Sequence, residues 1–382
     1  MLIKNAHIHT GVSPDPFCGD ILIQGGKIKE IARSIDPADH DVLNLDGKDV
    51  YPGFIDVHTH IGMFGFSGDA TQDDVEKFDR CVPNHRGTDC VNPEEPSFSE
   101  ALQAGVTCVC VGPGSVSCIG GTHVVLKTYG HRIDDMIVKD PAAMKIAFGE
   151  NPKKALQDRL TTRMTIAATI RDTLKKAKEY HTQLINAQGC PDRLPKFDPK
   201  LDALIPVIEK KIPLKAHVHQ KADIYTAIRI AKECDVLLTL EHASDGGSIA
   251  DELAQEGYPI AAGPYLAQSK KAEAANSNAS NVVKMIDAGC QVSVMTDAPI
   301  IAEKYLPIAA GLLMREGLDE YRALQTITIN AAKHLGVDDQ LGSIEVGKDA
   351  DLIISNGCPL QISVKPCMVI INGDVVYSTE AD

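Results

Sequence analysis

Eight short apolar runs, separated by longer stretches of helical character, constrain the fold of this 382-residue chain more than any other feature. Runs that are apolar on both faces are typical of parallel strands covered by helices, and the alternation predicts βα units. Eight units predict an α/β protein with a (β/α)8 TIM barrel, whose active site lies at the carboxyl ends of the strands. The candidate strands are residues 54–58, 106–111, 123–127, 144–148, 214–218, 237–241, 259–262 and 291–296.

Helical patterns fill the gaps between these runs. Residues 222–234 are well patterned, and Ser248 followed by Asp251 predicts a capped helix start. The irregular segment of residues 61–97, rich in Gly, Asp and Pro, is expected to lie over the barrel mouth as an active-site loop. A further helix is predicted before Gly189 from apolar residues at helical spacing, namely Met164, Ile170, Leu174 and Leu184.

Both ends of the chain carry short β-like pieces around tight turns. Near the N-terminus these pieces flank Gln24-Gly25-Gly26, and near the C-terminus they precede Asn372-Gly373-Asp374. We expect the two ends to build one small β-sandwich subdomain from residues 1–50 and 342–382, which leaves residues 51–341 for the barrel.

The chain holds 38 Lys and Arg against 52 Asp and Glu, a formal net charge of −14 at pH 7. No basic block of the kind that grips phosphate backbones occurs, so nucleic acid is not an expected partner. No run approaches the roughly 18 apolar residues that span a bilayer, so no membrane partner and a cytoplasmic location are expected. Eleven scattered cysteines without a Cys-x-x-Cys pair fit reduced thiols.

The first candidate strand ends in His58-Thr59-His60. Residues i and i+2 of an extended strand project from the same face, so both imidazoles can reach one ion from the rim of a sheet. Neutral imidazole is a common ligand of zinc, nickel and iron. A bare His-x-His also fits a surface strand that happens to carry two histidines, so the other strand ends decide between the two interpretations.

Metal-ligating residue types stand at the ends of three further candidate strands. His217 and His219 end the fifth strand, His242 ends the sixth, and Asp297 ends the eighth. Any one of them could be a hydrogen-bonded histidine or an aspartate that caps a helix. Because the carboxyl ends of barrel strands share one rim, four coincident strand ends predict a metal site there.

The whole pattern resembles the amidohydrolase superfamily, the metal-dependent hydrolases related to imidazolonepropionase and to the Xaa-Pro and Xaa-Arg dipeptidases. The resemblance runs nearly end to end, and its motifs are specific for the superfamily but only weakly specific for the substrate. The motifs are Pro-Gly-Phe-Ile-Asp-Val-His-Thr-His (52–60), Ala-Gly-Val-Thr (104–107), Thr-Ile-Asn-Ala-Ala-Lys (328–333) and Leu-Gly-Ser-Ile-Glu-Val-Gly-Lys-Asp-Ala-Asp-Leu (341–352).

The resemblance implies a site for divalent metal. His58 and His60 would bind one ion together with Asp297, and His217 and His242 would bind a second ion. Zinc is the expected metal, although histidine and carboxylate ligands also suit iron, manganese and cobalt.

In binuclear members a carboxylated lysine at the end of the fourth strand bridges the two ions, and Lys145 is the candidate here. A carbamate offers two oxygens to the ions, whereas an ammonium has donors only. Two ions are expected if Lys145 is carboxylated, and one if it is not. Lys127 is a rival for the bridge and otherwise a candidate substrate-binding cation, and Glu150 would displace both lysines if it bridged instead.

The implied chemistry is hydrolysis of a C–N bond in an amide, a dipeptide or a cyclic amide by a metal-activated hydroxide. Asp297 would take the proton of the water and return it to the leaving nitrogen, acting as general base and then acid. One alternative is a mononuclear deaminase of a heterocyclic or guanidine-type substrate, in which Lys145 is not a ligand. A non-catalytic scaffold is a second alternative, which the retained ligand types argue against.

The sequence does not identify the small-molecule substrate. His85, Arg86, His123 and Lys127 could each meet a substrate carboxylate, and each is equally suited to a structural role. His219 is expected to contact the substrate or a metal ligand, or to replace His217 as ligand through a shift in register. Barrels of this family often self-associate, so a homo-oligomer is expected.

Overall fold

The computed structural model describes residues 1–64, 72–154, 161–187, 189–267 and 271–379. The strands of this part of the chain are β1 (Leu2–Ile8), β2 (Phe17–Gln24), β3 (Lys27–Ala32), β4 (Val42–Asn44), β5 (Asp49–Pro52), β6 (Phe54–Thr59), β7 (Val106–Val111), β8 (Ile119–Lys127), β9 (Ile137–Ala147), β10 (Leu214–Val218), β11 (Leu238–His242), β12 (Ile260–Ala262), β13 (Val292–Val294), β14 (Leu352–Ser355), β15 (Pro366–Ile371) and β16 (Asp374–Ser378).

Helices occupy most of the connections in the second half of the chain. They are α1 (Pro96–Gln103), α2 (Ile133–Met136), α3 (Glu150–Lys154), α4 (Arg163–Asn186), α5 (Pro199–Asp202), α6 (Ile205–Ile208), α7 (Lys221–Cys234), α8 (Ala250–Glu256), α9 (Ala279–Asp287), α10 (Leu306–Arg315), α11 (Glu320–Gln325) and α12 (Ile329–Leu335). Short 3-10 helices lie at Gly87–Asp89, Pro191–Arg193, Gly246–Ser248, Ala272–Ala274 and Glu303–Tyr305.

Strands from the two ends of the chain form one sheet, here called the terminal sheet, in the order β16-β15-β14-β5-β1-β2-β3, with β4 paired to β1. β5 joins the two ends, because it pairs in parallel with β1 and antiparallel with β14. β5 runs to Pro52, so the sheet continues past the predicted boundary at residue 50. The β-sandwich form and the division into subdomains stay predictions. Buried aliphatic side chains form the sheet's core, among them Ile3, Ile21, Val50, Ile354 and Ile370.

The turn between β2 and β3 depends on glycine. β2 and β3 pair antiparallel, and Gly25 and Gly26 between them have φ of 61° and 77°, in the left-handed region. A Cβ on Gly26 would stand 3.0 Å from the carbonyl oxygen of Asn372. The second predicted turn therefore packs directly against the first.

The second sheet, here called the barrel sheet, has the strand order β6-β7-β8-β9-β10-β11-β12-β13. Each of its strands overlaps one of the predicted apolar runs. Beyond the strand ends the amide of Asp297 donates to the His58 carbonyl at 3.1 Å, and the amide of His60 donates to the Ala298 carbonyl at 2.9 Å. These bonds join the two edges, so the sheet is nearly closed, as predicted for a barrel.

The prediction of an all-parallel barrel is wrong at β8. This strand runs antiparallel to both neighbours, with Cys108 opposite Lys127 and Thr122 opposite Met144. A parallel crossover needs a dozen or more residues, and only residues 112–118 separate β7 from β8. The chain therefore turns straight back, and β8 points the opposite way from the other barrel strands.

The long predicted helices are present, with two errors of detail. α7 covers the predicted residues 222–234, and the side chain of Thr162 caps the start of α4. Met164 was predicted within the apolar stripe of α4, yet it is 78% exposed. The capped start at Ser248 is wrong, because its hydroxyl donates to the carbonyl of Asp245 at 2.7 Å and α8 begins two residues later without a side-chain cap.

The predicted mouth loop of residues 61–97 lies partly outside the described residues, since it includes residues 65–71. Its described part contacts the barrel: the amide of Val82 donates to the carbonyl of Ile119 on β8 at 2.9 Å, and Met63 is buried in the main hydrophobic core. Its last residues belong to α1.

Two expectations drawn from composition can be compared with the structure. All eleven cysteines are free thiols, as predicted. Within the described ranges, every helix falls short of the length or the apolar character needed to cross a bilayer. The cytoplasmic location and the homo-oligomer stay predictions.

The reversal of β8 carries Lys127 to the rim opposite the carboxyl ends of the parallel strands. There its Nζ lies 2.5 Å from Asp351 Oδ2 and 3.1 Å from Asp349 Oδ2, in the segment that leads into β14. Lys127 and Asp351 are both buried. Lys127 therefore links the barrel to the terminal sheet, and its predicted roles as a metal bridge or a substrate-binding cation are wrong.

Lys127→Met is expected to destabilise the fold by about 3–5 kcal/mol, because it leaves the Asp351 carboxylate buried without its main cationic partner. Denaturant unfolding measures this loss. The double variant Lys127→Met/Asp351→Leu is the matched control and should recover most of the lost stability, since both charges are gone. The metal content of the folded single variant should equal that of the wild type, and a lower content would contradict the structural role.

Candidate metal centre

The predicted metal-ligating residues converge at the carboxyl ends of β6, β9, β10 and β11 and just after β13. Two groups of ligand atoms, each within 4.8 Å of one another, share His242: one adds His58 and Asp297, the other adds His217 and His219. The groups therefore form a single cluster. We call it the barrel cluster, and its members are His58, His60, Lys145, His217, His219, His242 and Asp297.

His58 and His60 meet the carboxylate of Asp297. Its Oδ1 lies 3.3 Å from His60 Nε2 and 3.6 Å from His58 Nε2. His60 Nδ1 donates to the carbonyl of Gly112 at 2.6 Å. Because a carbonyl only accepts, the proton of His60 is on Nδ1, and the lone pair of Nε2 faces the cluster.

The imidazoles of His217, His219 and His242 pack against one another. The ring centroid of His242 lies 4.3 Å from that of His217 and 4.5 Å from that of His219. His242 Nδ1 donates to the Gly263 carbonyl and His219 Nδ1 bonds to Ser244 Oγ, both at 2.8 Å. Both His217 and His219 thus reach the cluster, so the choice of ligand between them stays open.

The donor set fits a divalent metal. The Nε2 atoms of His217, His219 and His242 are buried and have no hydrogen-bond partner within the described residues. Buried polar atoms are normally satisfied, so three convergent imidazole nitrogens of this kind require an explanation. A transition-metal ion with nitrogen and carboxylate ligands supplies one, and His58 with Asp297 extends the donor set.

Electrostatics keeps these groups in the protonation states that metal ligands need. Burial lowers the pKa of His58 and His217 well below the usual value and that of His242 to about 4, so the imidazoles are neutral. Burial opposes ionisation of Asp297, but the rings of His60, His242 and His58 that face it outweigh that effect, and its pKa falls. The cluster therefore presents neutral nitrogens around one carboxylate.

Backbone strain marks the same place. His242, Ala243 and Asp297 have φ of 70°, 43° and 52°, in the left-handed region that residues other than glycine rarely adopt. Such conformations cost on the order of 1–3 kcal/mol each and concentrate at functional sites. Two of these residues belong to the barrel cluster: His242 at the end of β11, and Asp297 just after β13.

Lys145 lies inside the cluster, and Glu150 does not. Lys145 is fully buried, its Nζ is 3.1 Å from His58 Nε2, and burial lowers its pKa to about 8. The side chain of Glu150 accepts from Lys154 at 2.7 Å, and its amide donates to Glu273 at 2.7 Å. In the described structure, Lys145 is thus the candidate bridge that reaches a predicted ligand.

Some of the predicted substrate-binding residues also lie at the barrel cluster, and others lie outside it. His123 on β8 is fully buried, with its ring centroid 5.7 Å from that of His58, and neither of its nitrogens has a partner among the described residues. His85 is exposed. The guanidinium of Arg86 pairs with Asp140 at 2.9 Å and is largely exposed. The structure brings His123 to the cluster and leaves His85 and Arg86 outside it.

The sequence did not predict the role of Glu241, which hydrogen-bonds the Nδ1 atom of His58. Glu241 Oε2 accepts from His58 Nδ1 at 2.8 Å and from Lys215 Nζ at 2.7 Å, while Oε1 accepts from Thr239 Oγ1 at 2.7 Å. His334 Nε2 lies 3.3 Å from Oε1. The sequence signal for this contact was a pair of opposite charges in two apolar strands that are neighbours in the sheet, Lys215 in β10 and Glu241 in β11.

A second buried carboxylate, Asp56, ties β6 to the segment before Asp297. Its Oδ1 accepts from the amide of His58 at 2.9 Å, and its Oδ2 accepts from the amide of Thr296 at 2.8 Å. Burial raises the pKa of Asp56 to about 6, and burial beside Asp56 raises that of Glu303 well above its usual value. The signal for Asp56 was a charged residue within a run of buried apolar positions.

A cavity of about 470 Å³ opens onto the cluster, which is enough room for a small molecule. Its wall combines imidazole, carboxylate and ammonium groups with apolar surface. The residues that line it include His217, His219, His242, Pro264, Lys271, Asp297 and Ile300.

Comparison with known proteins identifies the family of this chain. The model of the Amidohydrolase family matches residues 50–379. The amidohydrolase tasK of Hapsidospora irregularis is 26% identical over 423 residues, which covers 98% of this chain but only 43% of that protein. The imidazolonepropionase of Phocaeicola vulgatus is 25% identical over 381 residues, which covers 88% of this chain and 84% of that protein.

A solved structure shares both fold and sequence with this chain. The amidohydrolase from Thermotoga maritima MSB8 superposes with a TM-score of 0.95 at 36% identity and covers 99% of both chains. The predicted relation to metal-dependent hydrolases is thereby confirmed at the level of the family. The chain belongs to the amidohydrolase family.

Proposed function

We propose that the protein is a metal-dependent hydrolase that cleaves a C–N bond in a small amide, a dipeptide or a cyclic amide. The observation that carries this proposal is a set of buried imidazole nitrogens, without hydrogen-bond partners in the described part of the chain, beside an ionised aspartate in the wall of a cavity. When bound, a divalent ion such as zinc lowers the pKa of water from 15.7 to roughly 7 and polarises a carbonyl. The residues that would hold the metal are His58, His60, His217, His242 and Asp297.

Asp297 would move the proton. Its carboxylate is ionised, faces His58 and His60, and lies in the cavity wall, where its side chain is 16% exposed. It can therefore take a proton from the attacking water and deliver it to the leaving nitrogen.

Lys145 would link the two halves of the metal centre as a carbamate. Carboxylation adds CO₂ to the neutral amine and releases one proton, which replaces a nitrogen donor by two oxygens. The amine already lies 3.1 Å from His58 Nε2 in a fully buried position, so the new oxygens would arise among the ligands. Two metals per chain follow from this chemistry.

Cations and imidazoles around the cavity favour a substrate with a carboxylate. The positive charge of Lys271 is close enough to depress the pKa of His217, His219 and His242, although burial is the larger cause. His123 and His219 each have an unpartnered nitrogen within the described structure. A peptide terminus or an N-acyl amino acid would complement this surface.

The test uses protein purified without chelators and supplied with zinc and bicarbonate. We expect two metals at the barrel cluster, located by anomalous scattering from crystals, and hydrolysis of members of a panel of dipeptides, N-acyl amino acids and cyclic amides. One metal at that cluster with ammonia release from heterocycles or guanidines would support a deaminase instead. Metal-loaded protein that is inert toward all amides, cyclic amides and amidines would overturn both activities.

Lys145→Ala is expected to lower the metal content by one ion per chain and activity by up to about 100-fold, the upper end of what loss of a partner to a metal ligand costs. A short carboxylate such as acetate or propionate should restore part of both, because it can occupy the space of the missing carbamate. Elemental analysis and turnover with and without the added acid measure this. Lys154→Ala, which removes an exposed lysine, is the control. A metal content of Lys145→Ala equal to that of the wild type would remove Lys145 from the centre.

A further inference from the structure

A second group of metal-ligating side chains lies in the terminal sheet. It consists of His7 and His9 at the end of β1 and Asp49 at the start of β5, and we call it the terminal-sheet cluster. Its three ligand atoms lie within 4.8 Å of one another, and all three residues are partly exposed. None of them belongs to the barrel cluster, so the two groups can be tested independently.

Strand pairing sets this arrangement. β1 and β5 run in parallel with His7 opposite Asp49, and His7 and His9 project from the same face because they are two residues apart. The amide of His7 donates to the Lys48 carbonyl and that of His9 to the Val50 carbonyl, both at 2.9 Å. Backbone bonds on either side of Asp49 therefore hold its carboxylate between the two imidazoles.

One carboxylate oxygen of Asp49 contacts both imidazole rings. Asp49 Oδ1 lies 2.7 Å from His7 Nδ1 and 2.8 Å from His9 Nε2. The other oxygen accepts from the amide of Gly357 at 2.9 Å. The His9 ring stacks on Tyr51, with centroids 4.1 Å apart and planes at 17°. Groups outside the cluster thus orient both the carboxylate and one imidazole, as they do around metal ions.

We propose that the terminal-sheet cluster binds a divalent transition-metal ion such as zinc through His7 Nδ1, His9 Nε2 and Asp49 Oδ1. Zinc bonds of about 2.0–2.1 Å at tetrahedral angles place ligand atoms about 3.3 Å apart. The two existing contacts need to lengthen by only about half an ångström to admit the ion, a change within reach of side-chain torsions. The ion would then replace the hydrogen bonds between the same atoms.

The ligand types select the class of ion. Two imidazoles with one carboxylate suit zinc, cobalt or nickel, whereas magnesium and calcium prefer oxygen ligands alone. The His7 side chain is 36% exposed, so water can reach the cluster and complete the coordination. The proposal does not rest on the proposed hydrolytic activity, because it uses different residues.

Binding here would stabilise the terminal sheet beside its connection to the barrel sheet. The ion would cross-link β1 to β5, and β5 continues through Gly53 into β6, the strand that carries His58. The expected effects are on metal content and thermal stability, and no step of the chemistry at the barrel cluster depends on them.

The experiment compares zinc content and melting temperature at fixed micromolar free zinc for three forms of the full chain. They are the wild type, His7→Gln/His9→Gln, and the control His40→Gln, which changes an exposed histidine of the same sheet region. We expect the double variant to bind one zinc fewer per chain and to lose part of the zinc-dependent rise in melting temperature. His40→Gln should match the wild type.

Equal zinc content and an equal melting response in all three forms would overturn the proposal and leave a hydrogen-bonded His-Asp-His group. A second measurement covers a double variant that fails to fold. Crystals of the wild type soaked in zinc should show an anomalous scattering peak among His7, His9 and Asp49, and the absence of a peak there would overturn the proposal on the native chain. Peaks at the barrel cluster report separately on the metal centre.

Discussion

Asp297→Asn is expected to lower kcat by about 10²–10⁴-fold at saturating metal, the range that a positioned general acid and base contributes. Asparagine keeps the size of the side chain and a carbonyl oxygen in the place of Oδ1, but it cannot accept a proton as a carboxylate does. That oxygen lies 3.3 Å from His60 and 3.6 Å from His58, so the variant can still face the metal ligands. The loss should therefore appear in turnover rather than in folding.

Turnover measured over a range of zinc concentrations separates proton transfer from metal loss. If the variant is slow because it binds metal weakly, added zinc restores activity, whereas a missing proton acceptor leaves kcat low at every concentration. Asp251→Asn, an exposed change on α8, is the matched control. Turnover of Asp297→Asn close to that of the wild type would exclude Asp297 as the base.

The positions of the barrel strands follow from sequence because burial on both faces leaves a local signal. Runs such as those of β7 and β10 are wholly buried, and their predicted bounds equal the observed ones. Strand direction has no such signal within the strand itself, because it depends on the length of the connection between strands. The residues 112–118 between β7 and β8 already exclude a parallel crossover, and counting them would have placed Lys127 at the far rim.

The barrel cluster, too, can be predicted only in part from the sequence. Its members follow apolar runs directly, so strand geometry and the family motifs together bring His58, His217, His242 and Asp297 to one place. The supporting contacts are not local. Glu241 meets His334 from α12, more than ninety residues along the chain, and no periodicity in either segment predicts that packing.

Glu241→Gln is expected to cost about 3–5 kcal/mol of folding stability, because it leaves the ammonium of Lys215 buried without a counter-charge. Lys215 is 1% exposed and Glu241 is fully buried, so solvent cannot replace the lost partner. The same change should weaken metal binding by about 10–100-fold, since the carboxylate that fixes the His58 tautomer and raises its basicity is gone. Denaturant unfolding of metal-free protein and zinc titration of the folded variant measure the two effects separately.

The double variant Lys215→Met/Glu241→Gln distinguishes a structural role from a positioning role. Removing both charges should return most of the stability, because no uncompensated ion remains in the core. Metal affinity should stay low, since an amide oxygen still accepts from His58 Nδ1 at that position but carries no charge to raise the basicity of Nε2. Recovery of both quantities together would mean that Glu241 only balances Lys215. Recovery of stability alone would establish that this buried carboxylate tunes the ligand that β6 presents to the metal.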